Sequence, residues 1–129
     1  MQLIINKKVY TDNSKEANEN SVFVVSKQNE KFKENAIANG CKEIIDSSEL
    51  KNHIDFSSIK IIGITGTNGK TTTAAAIYSI LLDLGYKVAL QGTRGFFIND
   101  ERVEDYSLTT PVQLGNFAHI QKAMQNGCD

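Results

Sequence analysis

In Gly69-Lys70-Thr71-Thr72-Thr73 a lysine follows a glycine and precedes three threonines, putting one cation, a row of hydroxyls and a freely turning backbone within five residues. That combination suits a phosphate. Gly66 and Gly69 permit a tight bend that turns backbone N–H groups inward, Lys70 brings an ammonium to the β- and γ-phosphates of a nucleotide, and the Thr71 hydroxyl can ligate Mg²⁺. Thr67 and Asn68 sit in the bend, and Thr72 adds a second hydroxyl at the start of a helix. The candidate cofactor-binding set is Gly66, Thr67, Asn68, Gly69, Lys70, Thr71 and Thr72, for ATP and Mg²⁺, with Lys70 as the catalytic cation and Thr71 as the metal ligand.

The spacing departs from the strict Gly-x-x-x-x-Gly-Lys-Ser/Thr form, because Ile64 stands five positions before Gly69 and the nearest glycine upstream of that bend, Gly63, is one residue too early. The alternative is a glycine-rich strand-to-helix turn with an exposed lysine. A β-branched run before Gly-Lys-Thr and an alanine-rich stretch after it argue for phosphate binding instead.

The elements that must hold this loop follow from hydrophobic periodicity. Ile59 to Ile64 predicts a strand, and the helix beyond Lys70 carries Ala75, Ile77, Leu81 and Leu84 as a core-facing stripe closed by Gly85. The helix N-terminus adds its positive end to the phosphate site. Val88-Ala89-Leu90 predicts the next strand, so a parallel pairing through a right-handed crossover is expected. Phe96-Phe97-Ile98 predicts a further strand, with Asn99-Asp100 in a turn before Val103. Thr110 as N-cap, Pro111 at the first helical position and Gln113 in a capping box predict a last helix with Leu114, Phe117, Ile120 and Met124 buried and Gly127 at its end. An alternating pattern calls for a strand next, so the chain reads as truncated at Cys128-Asp129.

The N-terminal third reads as a small α/β module. Leu3–Ile5, Val9–Tyr10, Val22–Val25 and Glu43–Ile45 predict strands, and Phe32, Ala36 and Ile37 share a helical face that Gly40 ends. Thr11 to Ser14 is a loop. Between Asp46 and Ser58 the chain turns polar, which places a domain boundary there: residues 1–55 with linker, then 56–129. His53, among polar neighbours, carries no visible role.

With 129 residues, 40% hydrophobic content and a net charge of −1, the chain suits one compact core or a small domain plus part of a larger one, and shows no extended basic footprint for nucleic acid. Cys41 and Cys128 lack metal-ligand spacing and read as small buried hydrophobes in a reducing, cytoplasmic setting. No membrane span, and no signal peptide at the N-terminus, is predicted.

The loop Gly63-Ile64-Thr65-Gly66-Thr67-Asn68-Gly69-Lys70-Thr71-Thr72-Thr73 resembles that of the Mur ligase and folylpolyglutamate synthetase superfamily, ATP-dependent amide-forming enzymes. Three further segments resemble the subgroup that extends UDP-N-acetylmuramoyl-L-alanyl-D-glutamate by a third peptide residue. They are Thr11-Asp12-Asn13-Ser14 with Ser21–Val25, Ala36–Cys41, and Gly92-Thr93 with Leu108-Thr109-Thr110-Pro111. The N-terminal match is degenerate: Asn13 and Lys15 replace the usual Asp and Arg.

The resemblance implies an α/β fold in which a small UDP-binding-type domain precedes the start of a P-loop, mainly parallel-sheet ATP-binding domain. It implies Ser14, Thr109 and Thr110 as substrate contacts, although Ser14 fits a turn as well and Thr110 fits a helix cap. Arg94 reads as a solvated loop cation, with a substrate contact as the alternative. The implied partners are a UDP-N-acetylmuramoyl-dipeptide and an amino acid, diaminopimelate or lysine, with no nucleic acid and no membrane, and a monomer is expected. The family's other metal ligands, adenine pocket and modified lysine come later in the central domain, so this stretch alone is expected to be inactive. Rivals are another P-loop protein, such as a small-molecule kinase or a GTPase switch, or a non-catalytic nucleotide-binding module.

Overall fold

The computed structural model describes residues 2–105 and 113–129. The chain divides into two compact units, one of Met1–Asp55 with Val112–Ala118 and one of Phe56–Pro111 with His119–Asp129. The architecture is α/β, with a mixed sheet in the first unit and an antiparallel sheet in the second. No helix among the described residues is long and apolar enough to cross a membrane.

In the first unit, β1 (Gln2–Ile5), β2 (Lys8–Thr11), β3 (Ser21–Val25) and β4 (Glu43–Asp46) form one sheet in that order. β1 and β2 are an antiparallel hairpin whose turn, Asn6-Lys7, has positive φ at both residues; β3 pairs parallel with β2 and β4. β3 is buried on both faces, as a central strand flanked by parallel partners should be. Val22 and Val24 pack with Leu3, Ile5, Tyr10, Leu50 and Leu114, whereas Phe23 on the opposite face packs with Ala17, Ala36 and Cys41. The short helix α1 (Lys33–Ala38) ends at Gly40, where Gly40 N–H and Cys41 N–H donate to the carbonyls of Ile37 and Ala36.

Two expectations change here. Of the predicted α1 face only Ala36 is buried; Phe32 and Ile37 are exposed, because α1 lasts barely two turns and covers only the Phe23 side of the sheet. The polar stretch after β4 is no loose linker: Ser47–Asn52 forms a 3₁₀ helix capped by the Asp46 side chain, and its Leu50 is wholly buried.

In the second unit, α2 (Lys70–Asp83) is followed by β5 (Ala89–Gly92), β6 (Gly95–Ile98) and β7 (Glu101–Glu104), an antiparallel meander. Two-residue turns, Thr93-Arg94 and Asn99-Asp100, join the strands, and Asn99 takes the positive φ its turn needs. The expected parallel pairing is therefore corrected. Among the described residues, 59–64 belong to no strand ladder, and β5 pairs only with β6, its neighbour across a two-residue turn.

The α2 stripe is also rotated from the expected one. Ala74, Ile77, Tyr78, Leu81 and Leu82, spaced by three and four, are half-buried, while Ala75, Ile80 and Leu84 face out. Gly85 ends α2 as expected, with its own N–H and that of Tyr86 donating to Leu82 and Leu81 carbonyls. The last helix, α3 (Gln113–Gln125), buries Leu114 in the first unit's core and His119 and Ala123 in the second's. Ile120 and Met124 are only half-buried, so the inner face runs through His119 and Ala123 instead. Gly127 terminates α3 in the same manner as Gly85, and Cys128 is buried beyond it. Thr109, Thr110 and Pro111, and with them the expected cap, lie outside the described residues.

Candidate phosphate-binding site

The loop before α2 takes the bend its glycines allow. Gly66 has φ 150° and Gly69 has φ 78°, the latter a left-handed conformation at the N-cap that a side chain would strain. The Gly69 carbonyl accepts the Thr73 N–H at 2.9 Å, the first bond of a fourteen-residue helix. The N–H groups of its opening residues have no intrahelical partner and point to the loop side.

Thr67, Asn68, Gly69, Lys70, Thr71, Thr72 and Thr93 line an open cleft of about 300 Å³. Six of these are in the candidate loop set; Thr93, from the β5–β6 turn, completes the wall. The Lys70 ammonium reaches back across the loop and donates to the Gly66 carbonyl, so Gly66, the remaining member of the set, is tied in through the lysine. Thr71 Oγ1 and Thr93 Oγ1 are 3.4 Å apart.

The donor set is chemically one-sided. Backbone N–H groups, one ammonium and four threonine hydroxyls line the cleft with the Asn68 amide, and no carboxylate does. Such a lining suits a polyanion. Among the described residues no group of three or more His, Cys, Asp or Glu is placed to hold a metal ion. The hydroxyl oxygens fit a hard cation such as Mg²⁺ that draws its remaining ligands from phosphate and water.

Two turns further along α2, Tyr78 is half-buried and tilted against Phe97, with ring centroids 6.4 Å apart. Burial, followed by the nearby Asp100 and Cys128, pushes the Tyr78 phenol above its ordinary pKa. The Cys128 thiol is raised too, mainly by burial and then by Asp129.

Sequence reasoning passed over one polar group of this unit. His119 is 4% exposed, stacks on Phe96 at 4.2 Å, and sits 2.8 Å from Gln91 Oε1 and 3.0 Å from Glu104 Oε2. Its place between Phe117 and Ile120 on an amphipathic helix was the available signal. For Thr93 the sequence gives only a resemblance to the subgroup, and what marks it as turn-forming is the Gly92-Thr93-Arg94-Gly95 pattern.

Ser14 lies in the first unit. It is 8% exposed, in a turn where its carbonyl accepts from Asn39 Nδ2 at 2.8 Å. The neighbouring Glu16 accepts from Gln2, Thr11 and Asn13, with Gln2 foremost in holding its carboxyl below the ordinary value. His53 leans on Tyr10, with ring centroids 5.8 Å apart.

The chain is 49% identical over 119 residues to the UDP-N-acetylmuramoyl-L-alanyl-D-glutamate--2,6-diaminopimelate ligase of Wolinella succinogenes, covering 92% of this chain and 27% of that protein. It is 48% identical over 122 residues to the ligase of the same name from Helicobacter pylori, with the same coverage of both. A solved structure of a UDP-N-acetylmuramoyl-L-alanyl-D-glutamate--2,6-diaminopimelate ligase shares the fold with TM-score 0.67 at 24% identity, over 92% of this chain and 30% of that one. The chain thus spans about a quarter of the length of these two curated relatives. Residues 64–129, more than half of the chain and including most of the loop and the whole of α2, match the Mur ligase middle domain. The chain belongs to the Mur ligase family.

Proposed function

We propose that this chain is part of an ATP-dependent amide ligase of peptidoglycan synthesis, one that adds diaminopimelate to UDP-N-acetylmuramoyl-L-alanyl-D-glutamate. The observation that carries this is the cleft at the head of α2, where Lys70 and the Thr71, Thr72 and Thr93 hydroxyls converge. The names of the two bacterial relatives supply the substrates. Residues 56–129 would form the first part of the ATP-binding domain and residues 1–55 the UDP-muramoyl-binding domain, in a cytoplasmic, monomeric enzyme.

In this reading ATP transfers its γ-phosphoryl group to the D-glutamate carboxylate, releasing ADP. The amine of the incoming residue then attacks the acyl phosphate, forming the amide and expelling phosphate. Phosphoryl transfer asks a protein mainly for positioning and charge neutralisation. Lys70 would exchange the Gly66 carbonyl for phosphate oxygens and balance charge gathering at the β–γ bridge. The loop N–H groups from Gly66 to Lys70 would cradle the β-phosphate, and Thr71 would hold Mg²⁺, which when bound neutralises the phosphate oxygens. Ser14, Thr109 and Thr110 are proposed as contacts to the muramoyl-dipeptide.

Two assays test this. The 129-residue chain should bind Mg·ATP in calorimetry yet form no amide from ATP, the UDP-muramoyl-dipeptide and diaminopimelate, whereas the full-length ligase should do both. Amide formation by the short chain would refute its proposed inactivity. Transfer of phosphate to a small-molecule hydroxyl by the full-length protein, without an amide, would replace the ligase with a kinase.

A further inference from the structure

We propose that His119 is a positioning residue for the phosphate cleft, acting through Gln91 and Thr93. The inference rests on the cleft being a phosphate site. Its starting point is a buried polar side chain with no part in the proposed chemistry. His119 packs flat on Phe96, with ring planes 14° apart, and meets an oxygen at each ring nitrogen: Gln91 at Nδ1 and Glu104 at Nε2. One imidazole therefore ties α3 to both outer strands of the meander, β5 through Gln91 and β7 through Glu104.

The link to the cleft is short. Gln91 stands two residues before Thr93, and Gly92 pairs with Gly95 to close the turn that presents the Thr93 hydroxyl to Thr71. A second anchor holds the far side of the same turn, where Arg102 Nη2 on β7 donates to the Arg94 carbonyl at 2.8 Å. Thr93 is thus flanked by two fixed points. The buried one is the stronger constraint, because a buried polar group left without its partners costs far more than an exposed one. The wall opposite the loop is the tip of a hairpin, and hairpin tips fray unless tied down. Phe96 alone would give the ring a packing surface but would not fix the height of β5 along α3. Directional hydrogen bonds do that.

The test separates positioning from mere stability. His119→Phe keeps the stacking ring and removes both hydrogen bonds; His119→Asn keeps an amide near the Nδ1 position, within reach of Gln91. Mg·ADP binding to the 129-residue chain should weaken about tenfold in His119→Phe and recover most of that in His119→Asn. Adding Thr93→Val to His119→Phe should cost nothing beyond Thr93→Val alone, since both act through one hydroxyl. In the ligand-free protein the Thr93 methyl resonance should shift in His119→Phe and return toward its place in His119→Asn.

Independent, multiplicative losses in the double variant, or an unchanged Thr93 resonance with unchanged affinity, would overturn the proposal. If the unsubstituted chain bound no Mg·ADP while the resonance moved as described, the phosphate assignment would fall and the clamp would stand. Should His119→Phe not fold, Gln91→Met breaks the same link from β5 and is held to the same outcomes.

Discussion

Thr71 on the first turn of α2 and Thr93 at the tip of the β5–β6 hairpin bring their hydroxyl oxygens within 3.4 Å of each other. Two hydroxyls that close can share one cation or one phosphate oxygen. Thr71→Val should therefore lower Mg·nucleotide affinity about tenfold, and Thr71→Ser should retain it. Titrations with and without EDTA would show the loss confined to the metal-dependent part.

In the proposed ligase, Lys70→Ala should abolish turnover. Retention of more than about a tenth of kcat, a loss under ~1.4 kcal/mol, would exclude Lys70 from transition-state stabilisation. Lys70→Arg should not rescue, because a planar fork does not replace a point charge folded over the Gly66 carbonyl.

Gly95 has φ 122°, and a Cβ there would stand 2.2 Å from the Glu104 carbonyl oxygen. Gly95→Ala should destabilise the protein by about 3 kcal/mol, since neither the backbone angle nor the neighbouring strand can give way cheaply. Urea denaturation followed by circular dichroism measures it.

Asp46 caps the 3₁₀ helix, accepting from the Ser48 hydroxyl at 2.6 Å and the Ser48 N–H at 2.9 Å. The hydroxyl bond, followed by the backbone bond, holds its carboxyl below the ordinary 3.8. A depressed pKa contributes stability that is present above the unfolded value and lost as pH falls through the folded one. The urea midpoints of the parent and Asp46→Asn proteins should thus differ at about pH 6, and the gap should narrow as pH falls below the ordinary aspartate value of 3.8. A gap that stays constant with pH would exclude the cap as its source.

The strands of the first unit were legible because Val22–Val25 is a continuous apolar run and its neighbours alternate. Helix ends were legible too, since Gly40, Gly85 and Gly127 each mark a left-handed stop. Pairing partners were not. Ile59–Ile64 has strand composition, but a strand exists only as part of a ladder, and nothing local to those residues says which neighbour they meet. The tight bend before α2 was readable from its glycines, whereas Thr93 and His119 reach their places only through the folding of the meander against α2 and α3.

Gly69 is held at φ 78° with nothing within 4 Å of where a side chain would begin. Its restriction is therefore one of handedness and not of room. A mirror-image alanine installed there by chemical synthesis should slot in without strain, and by narrowing the wandering of the denatured polypeptide it should strengthen the fold by about 0.4–1 kcal/mol.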